Sequence, residues 1–257
     1  MGHSFSHLLQ ILQQKKHIFT KDDTNKVIYL GYTVIKSSNL SFDKFLKKEF
    51  PNFNLVKLLH ELEATFTPTT RLAISRTIYY QDTPPKLRVL YKNDFTKDDD
   101  ALIFDREFVK SAKGIEINHS YCIIPETHQK KGLVKTVFKA SLQEYVNMGA
   151  KKINVHAGLS GGGHVWARHG FVAIDPSEVK EILDDAQKQL KTSEFAPVKH
   201  IFDKYYSDNP DGKTFPMILW AKIDFMKDIL RGSDWHGEVD LKNKEQFTNF
   251  MEYVFRK

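Results

Sequence analysis

One turn of this chain has the composition of an anion site. Gln129-Lys130-Lys131-Gly132 stands between a β-branched run, Ile115 to Ile124, and an apolar-periodic stretch that begins at Leu133. A helix starting at that point presents unpaired N–H groups and the positive end of its macrodipole. Gly132 lets a phosphate oxygen approach the backbone, and the two lysines add positive charge. Glu116 and His119 lie on the run that leads to this turn. Either could serve as a general base, and His119 comes first because imidazole titrates near neutrality. Strand alternation puts them on opposite faces, so only one can face a substrate. The plainer reading of His119 is a sheet histidine bonded to the backbone.

Other chemistry-bearing residues carry less. His156, His164 and His169 are close in sequence, but no carboxylate stands among them and their spacing matches no helical ligand pair, so no metal is expected. Cys122 is a nucleophile able to accept a transferred group on one reading and a small core side chain on the other. Gly161-Gly162-Gly163 follows a strand; it suits either a phosphate or substrate approach, the reading preferred, or a turn that needs positive φ.

The elements that must position these groups follow from periodicity. Gly132 to Met148 is the clearest helix, with Leu133, Val134, Val137, Phe138, Leu142, Tyr145 and Val146 on one stripe and Gly149 as its C-terminal cap. Ile115–Ile124, Ile153–Ala157 and Phe171–Ile174 are expected strands, and Val165–His169 a short helix. Upstream, a helix is expected over residues 3 to 17, a turn at Asp22-Asp23-Thr24-Asn25, and a strand over Val27–Ile35. Helices over Phe42–Phe50 and Leu55–Thr65 and a hairpin of Arg71–Tyr80 with Leu87–Tyr91 come next. Ala101–Lys110 fits strand or helix. Beyond Pro176 the chain is expected to be mainly helical, over Ser177–Lys191, Met217–Leu230 and Glu245–Phe255.

The run from Ile115 to Ile174, read as one unit, resembles the GNAT superfamily of acetyl-CoA-dependent N-acetyltransferases. That family marks its pyrophosphate loop with Gln or Arg, two residues, Gly, one residue, then Gly or Ala. Here the loop is Gln129-Lys130-Lys131-Gly132-Leu133-Val134. Pro125, the stretch Gly149 to Val155, and Ala167-Arg168-His169-Gly170-Phe171 match further landmarks in order. The resemblance implies an α/β (α+β) fold, a mixed twisted sheet flanked by helices. It also implies an acyl-CoA co-substrate, acetyl-CoA or another, bound between the Ile115 and Ile153 strands. The backbone of Ile123 and Ile124 then bonds the pantetheine arm, and the N–H groups of Gln129, Lys130, Lys131, Gly132, Leu133 and Val134 cradle the pyrophosphate. Ser160 stands near the place of an Asn often found in the following turn. Three departures accompany the match. Val134 replaces the last small residue of the loop, and the stretch from Pro125 to Gln129 is one residue longer than usual. Trp166 stands where many members have a tyrosine that protonates the departing thiolate, and indole has no acidic group for that task.

The bulk composition agrees with an ordinary globular chain, 41% hydrophobic and 27% charged. A single cysteine excludes an internal disulfide and a cysteine zinc cluster. With no long apolar run and no leader pattern, a cytoplasmic protein is expected. The expected organisation is an acyl-CoA-binding domain over residues 1–175, with its core motif at 115–174, and an extension over 176–257. The leading expectation is an N-acyltransferase that moves an acetyl group to an unidentified amine. One rival is a GNAT-fold binding protein without catalysis. Another is a nucleic-acid-associated protein of a mobile element, suggested by the net charge of +6; the lysines come in scattered pairs, which disfavours it. A homodimer is implied by the resemblance.

Overall fold

The computed structural model describes residues 16–158 and 161–255. It is a mixed α/β protein with mostly antiparallel sheet and flanking helices. The chain forms two compact units that divide between Lys151 and Lys152. The helix expected over residues 3–17 falls almost wholly outside the described residues.

The first unit opens with α1 (Lys21–Tyr29), where the sequence suggests a turn and then a strand. The Thr20 hydroxyl accepts from Asp23 N–H, and the Asp23 carboxylate accepts from Thr20 N–H. This reciprocal box makes the polar cluster a first helical turn. Gly31, at φ +84°, reverses the chain after the helix, and the strand shrinks to β1 (Thr33–Ser37). Then come α2 (Phe42–Glu49), α3 (Leu55–Phe66), β2 (Ile74–Asp82), β3 (Pro85–Asn93), β4 (Ile103–Ser111), β5 (Gly114–Ile123) and α4 (Leu133–Asn147). The ambiguous segment is therefore a strand, with Phe104, Arg106 and Phe108 on one face at period two.

The strands of this unit lie in the order β1-β2-β3-β4-β5, parallel for the first pair and antiparallel afterwards. Helices cover the sheet face that carries Tyr80, Tyr91, Phe104, Phe108 and His119. Phe45 meets Tyr80, Phe66 meets Tyr91, and Phe53 and Tyr145 both close on Phe108 at 4.9 and 5.9 Å between ring centroids. Burying such rings stabilises the unit by about 2–3 kcal/mol per side chain. The opposite face is a polar lattice. Arg88 holds Asp105 through two nitrogens at 2.6 and 2.9 Å, and Lys86 and Asn118 both reach Glu107. Within the helical layer, the fully buried Glu144 accepts from Asn54 N–H at 3.0 Å and so satisfies the start of α3.

The second unit takes up the chain within β6 (Ala150–His156). It continues through α5 (Gly162–Arg168), β7 (Val172–Ala173), α6 (Pro176–Gln189), α7 (Thr192–Asp208), β8 (Phe215–Pro216), α8 (Ile218–Ala221), α9 (Met226–Arg231), β9 (His236–Asp240) and α10 (Lys244–Phe255). Its strands lie in the order β6-β9-β7-β8, all antiparallel. The residues after 176 are mainly helical, but they also supply two strands, and β9 sits between β6 and β7. Fully buried Trp220 and Trp235 anchor the unit. Trp220 packs on Phe215 at 4.5 Å and donates from Nε1 to the Val198 carbonyl. No helix among the described residues is long and apolar enough to cross a membrane.

Candidate functional site

The turn from β5 into α4 lies wholly in the first unit. Pro125 starts a 3-10 turn over Glu126–His128, in which His128 and Gln129 donate backwards to Pro125 and Glu126 carbonyls. The Gln129 side chain then folds back, and its Nε2 donates to the Ile124 carbonyl at 3.2 Å. Lys130 is left-handed at φ +61° and Gly132 at φ +79°. Two left-handed residues so close turn the backbone sharply into the helix. A Cβ on Gly132 would meet no protein atom within 4 Å, so its glycine is required by backbone conformation and not by crowding.

Gly132 is also the N-cap of α4, and no side chain caps it; no acidic residue stands in the first turn. Lys130 and Lys131 are exposed, and neither enters an ion pair among the described residues. A helix of fifteen residues thus begins with its positive end uncapped and two cations beside it. These features suit an anion. Of the expected cradle, Leu133 and Val134 are half-buried in the first turn, and the Gln129 N–H is spent inside the 3-10 turn. Ile123 ends β5 and Ile124 follows it, buried.

The two candidate bases part company. Glu116 is half-buried on the polar face of β5, opposite Val109. His119 is 4% exposed, on the face covered by α4. Its Nε2 shares a 3.0 Å hydrogen bond with the Tyr145 hydroxyl, and its ring packs on Phe138 at 5.5 Å. Burial pushes the Tyr145 phenol above its ordinary pKa, which the neighbouring Arg106 guanidinium partly opposes. The imidazole is committed to holding β5 against α4. Cys122 sits on the same face, opposite Phe104, as a half-buried strand side chain.

In the second unit, Ser160 lies outside the described residues. The glycine run has structural reasons of its own: Gly161 is a left-handed N-cap at φ +82°, and a Cβ on Gly163 would lie 2.1 Å from the Leu230 carbonyl. At Gly163 the absence of a side chain lets α5 pack closely on the end of α9. Trp166 packs edge-on against Phe171 and His169.

The three neighbouring histidines do not gather. His169 is buried, and His164 has its pKa lowered by burial and by Arg168. His156 instead meets residues far away in sequence. Its Nε2 bonds Asp234 at 2.5 Å, and its ring stacks on His236 at 4.3 Å, almost parallel. His236 Nδ1 bonds Glu178 at 2.6 Å, and the backbone N–H of His236 donates to the same carboxylate. Each imidazole thus has one ring nitrogen held by a carboxylate, which fixes the orientation of the ring. Among the described residues, no group of three or more His, Cys, Asp or Glu is placed to hold a metal ion.

Sequence reasoning misses this pair because it misses β9. The signal is present as alternation in His236-Gly237-Glu238-Val239-Asp240, whose second and fourth residues are buried. It also passes over Arg106, a wholly buried cation, because the surrounding segment fits helix as well as strand. No family model, curated protein or solved structure matches the chain.

Proposed function

We propose that this protein is an acyl-CoA-dependent N-acyltransferase with the GNAT manner of holding its co-substrate. The observation that carries the reading is the β5–α4 turn, with an uncapped helix start behind left-handed Lys130 and Gly132 and a pair of exposed lysines. The pyrophosphate of the co-substrate would rest on the N–H groups of the first helical turn, with Lys130 and Lys131 neutralising charge. The strand-end backbone at Ile123 and Ile124 would guide the pantetheine arm.

In the reaction an amine nitrogen attacks the thioester carbonyl carbon, the C–N bond forms and the C–S bond breaks. The proton lost by the amine balances the one gained by the thiolate. His119 is sealed under α4 and bonded to Tyr145, so the reading assigns it to support of β5 and leaves Glu116 as the sequence candidate for proton transfer. With Trp166 offering no acid, thiolate protonation is left to water. The same two features favour a second reading, a GNAT-like protein that binds acyl-CoA without turning it over.

Calorimetric titration with acetyl-CoA tests the proposal. Micromolar binding is expected for the wild type, a loss of about tenfold for Gly132→Ala from strain at positive φ, and none for Gly132→Glu, which adds a carboxylate where the anion would sit. Absence of binding by the folded wild type overturns the proposal. Binding without acyl transfer across a broad amine panel selects the second reading.

A further inference from the structure

β4 and β5 fall out of step at one place. Asp105 pairs with Tyr121 and Arg106 pairs with His119, so Ser120 has no partner across the ladder. A residue inserted in this way leaves carbonyls without their regular donors and bends the strand. Here a side chain supplies the donor. Arg106 Nη1 donates to the Asp105 carbonyl at 2.8 Å and to the Tyr121 carbonyl at 2.7 Å, joining both strands across the bulge.

The guanidinium is held for this task at a cost. It is fully buried, lies 4.3 Å above the Phe104 ring and 5.9 Å from Phe138, and its Nε and Nη2 make no well-formed hydrogen bond, although the Tyr145 hydroxyl is near enough to interact with the guanidinium. Buried donors without partners are unfavourable, and an apolar side chain would fill the space more cheaply. What the guanidinium adds is geometry: a rigid, planar set of donors. The bulge also decides where the rest of β5 points. With it, Cys122 turns to the helix-covered face opposite Phe104, and Tyr121 and Ile123 turn to the other face. A one-residue slip would exchange those faces.

We infer that Arg106 is the positioning residue for the end of β5: it pins the Ser120 bulge and thereby aims the backbone of Tyr121 to Ile124. On the acyltransferase reading, that backbone is the guide for the pantetheine arm, so Arg106 acts on co-substrate binding without touching the co-substrate.

The experiment joins amide hydrogen exchange to acetyl-CoA titration for wild type, Arg106→Met, Arg106→Lys and Tyr145→Phe. In Arg106→Met, exchange over residues 120–124 is expected to quicken by about tenfold or more relative to residues 115–118. Its acetyl-CoA affinity is expected to fall by about tenfold or more. Arg106→Lys keeps a cation but loses the planar donor, so its affinity and exchange should fall between those of wild type and Arg106→Met; Tyr145→Phe loosens the same core without releasing the bulge and should stay within about threefold of wild type in affinity. A folded Arg106→Met with unchanged exchange over 120–124 overturns the inference. So does Tyr145→Phe producing the same pattern, since the effect would then be general loosening. If Arg106→Met does not fold, Arg106→Gln, whose amide is too short to span to Tyr121, takes its place under the same criteria. Exchange is read without any ligand. A wild type that ignores acetyl-CoA therefore defeats the functional reading while the exchange data still decide the role of Arg106.

Discussion

His119 in the first unit and His156 in the second are both strand histidines with an oxygen partner, and their surroundings are opposite. His119 bonds Tyr145 at 3.0 Å inside a layer of aromatic rings, with 4% of its surface exposed. His156 bonds Asp234 at 2.5 Å at the rim of a sheet, with about half of each side chain or more in water. The first bond replaces nothing that water could supply once it is lost. The second competes with water at every moment. A short hydrogen bond is therefore no measure of its worth, because desolvation of the group left behind sets the scale. The contrast also separates two uses of a histidine: a sealed imidazole holds elements together, whereas an exposed one bonded to a carboxylate does so only weakly.

Phe108→Ala removes the ring on which Phe50, Phe53 and Tyr145 converge, and should destabilise the first unit by about 3–5 kcal/mol in urea unfolding. All three tryptophans, Trp166, Trp220 and Trp235, belong to the second unit, so their fluorescence reports that unit and amide exchange reports the first. Tyr145→Phe should cost about 1–3 kcal/mol by stranding the buried His119 nitrogen. Asp234→Asn, its exposed counterpart, should change stability by no more than about 0.5 kcal/mol. Equal effects of these two substitutions would end the contrast.

Acid sharpens it further. Asp23 and Glu49 in the first unit have lowered pKa values. For both, burial raises the value, and hydrogen bonds outweigh it, from Thr20 and Lys26 in one case and from Lys48 and Lys110 in the other. A depressed carboxylate contributes stability that is present above its unfolded pKa, about 4, and lost as pH falls through the folded value. Exchange protection in the first unit should accordingly fall below about pH 4. Replacing Glu49 with Gln should flatten that fall, and an unaltered acid profile would show that the ion pairs contribute nothing.

Much of the candidate turn is legible in the order of residues alone. Gly132, the lysine pair and the stripe from Leu133 to Val146 announce a helix start with room for an anion, because helix geometry is local and glycine marks positive φ directly. The central hairpin and the α2 and α3 helices are legible for the same reason. The region after Thr20 is not, since its polar cluster satisfies both a turn and a capping box, and only the reciprocal bonds of Thr20 and Asp23 distinguish them. α7 escapes sequence reasoning because Pro197 resembles a break, although the helix runs through it.

What the amino-acid order determined by itself was local: where the chain coils, where it extends, and that one helix begins uncapped beside two lysines. Tertiary structure alone decided the rest. It decided that His119 faces inward to Tyr145, that His156 finds partners some eighty residues away, and that Arg106 bridges a bulge instead of reaching solvent. The physical reason is that register and burial are set by pairing between distant segments. A strand's own residues fix the alternation of its faces, but only the partner strand and the covering helix fix which face is sealed.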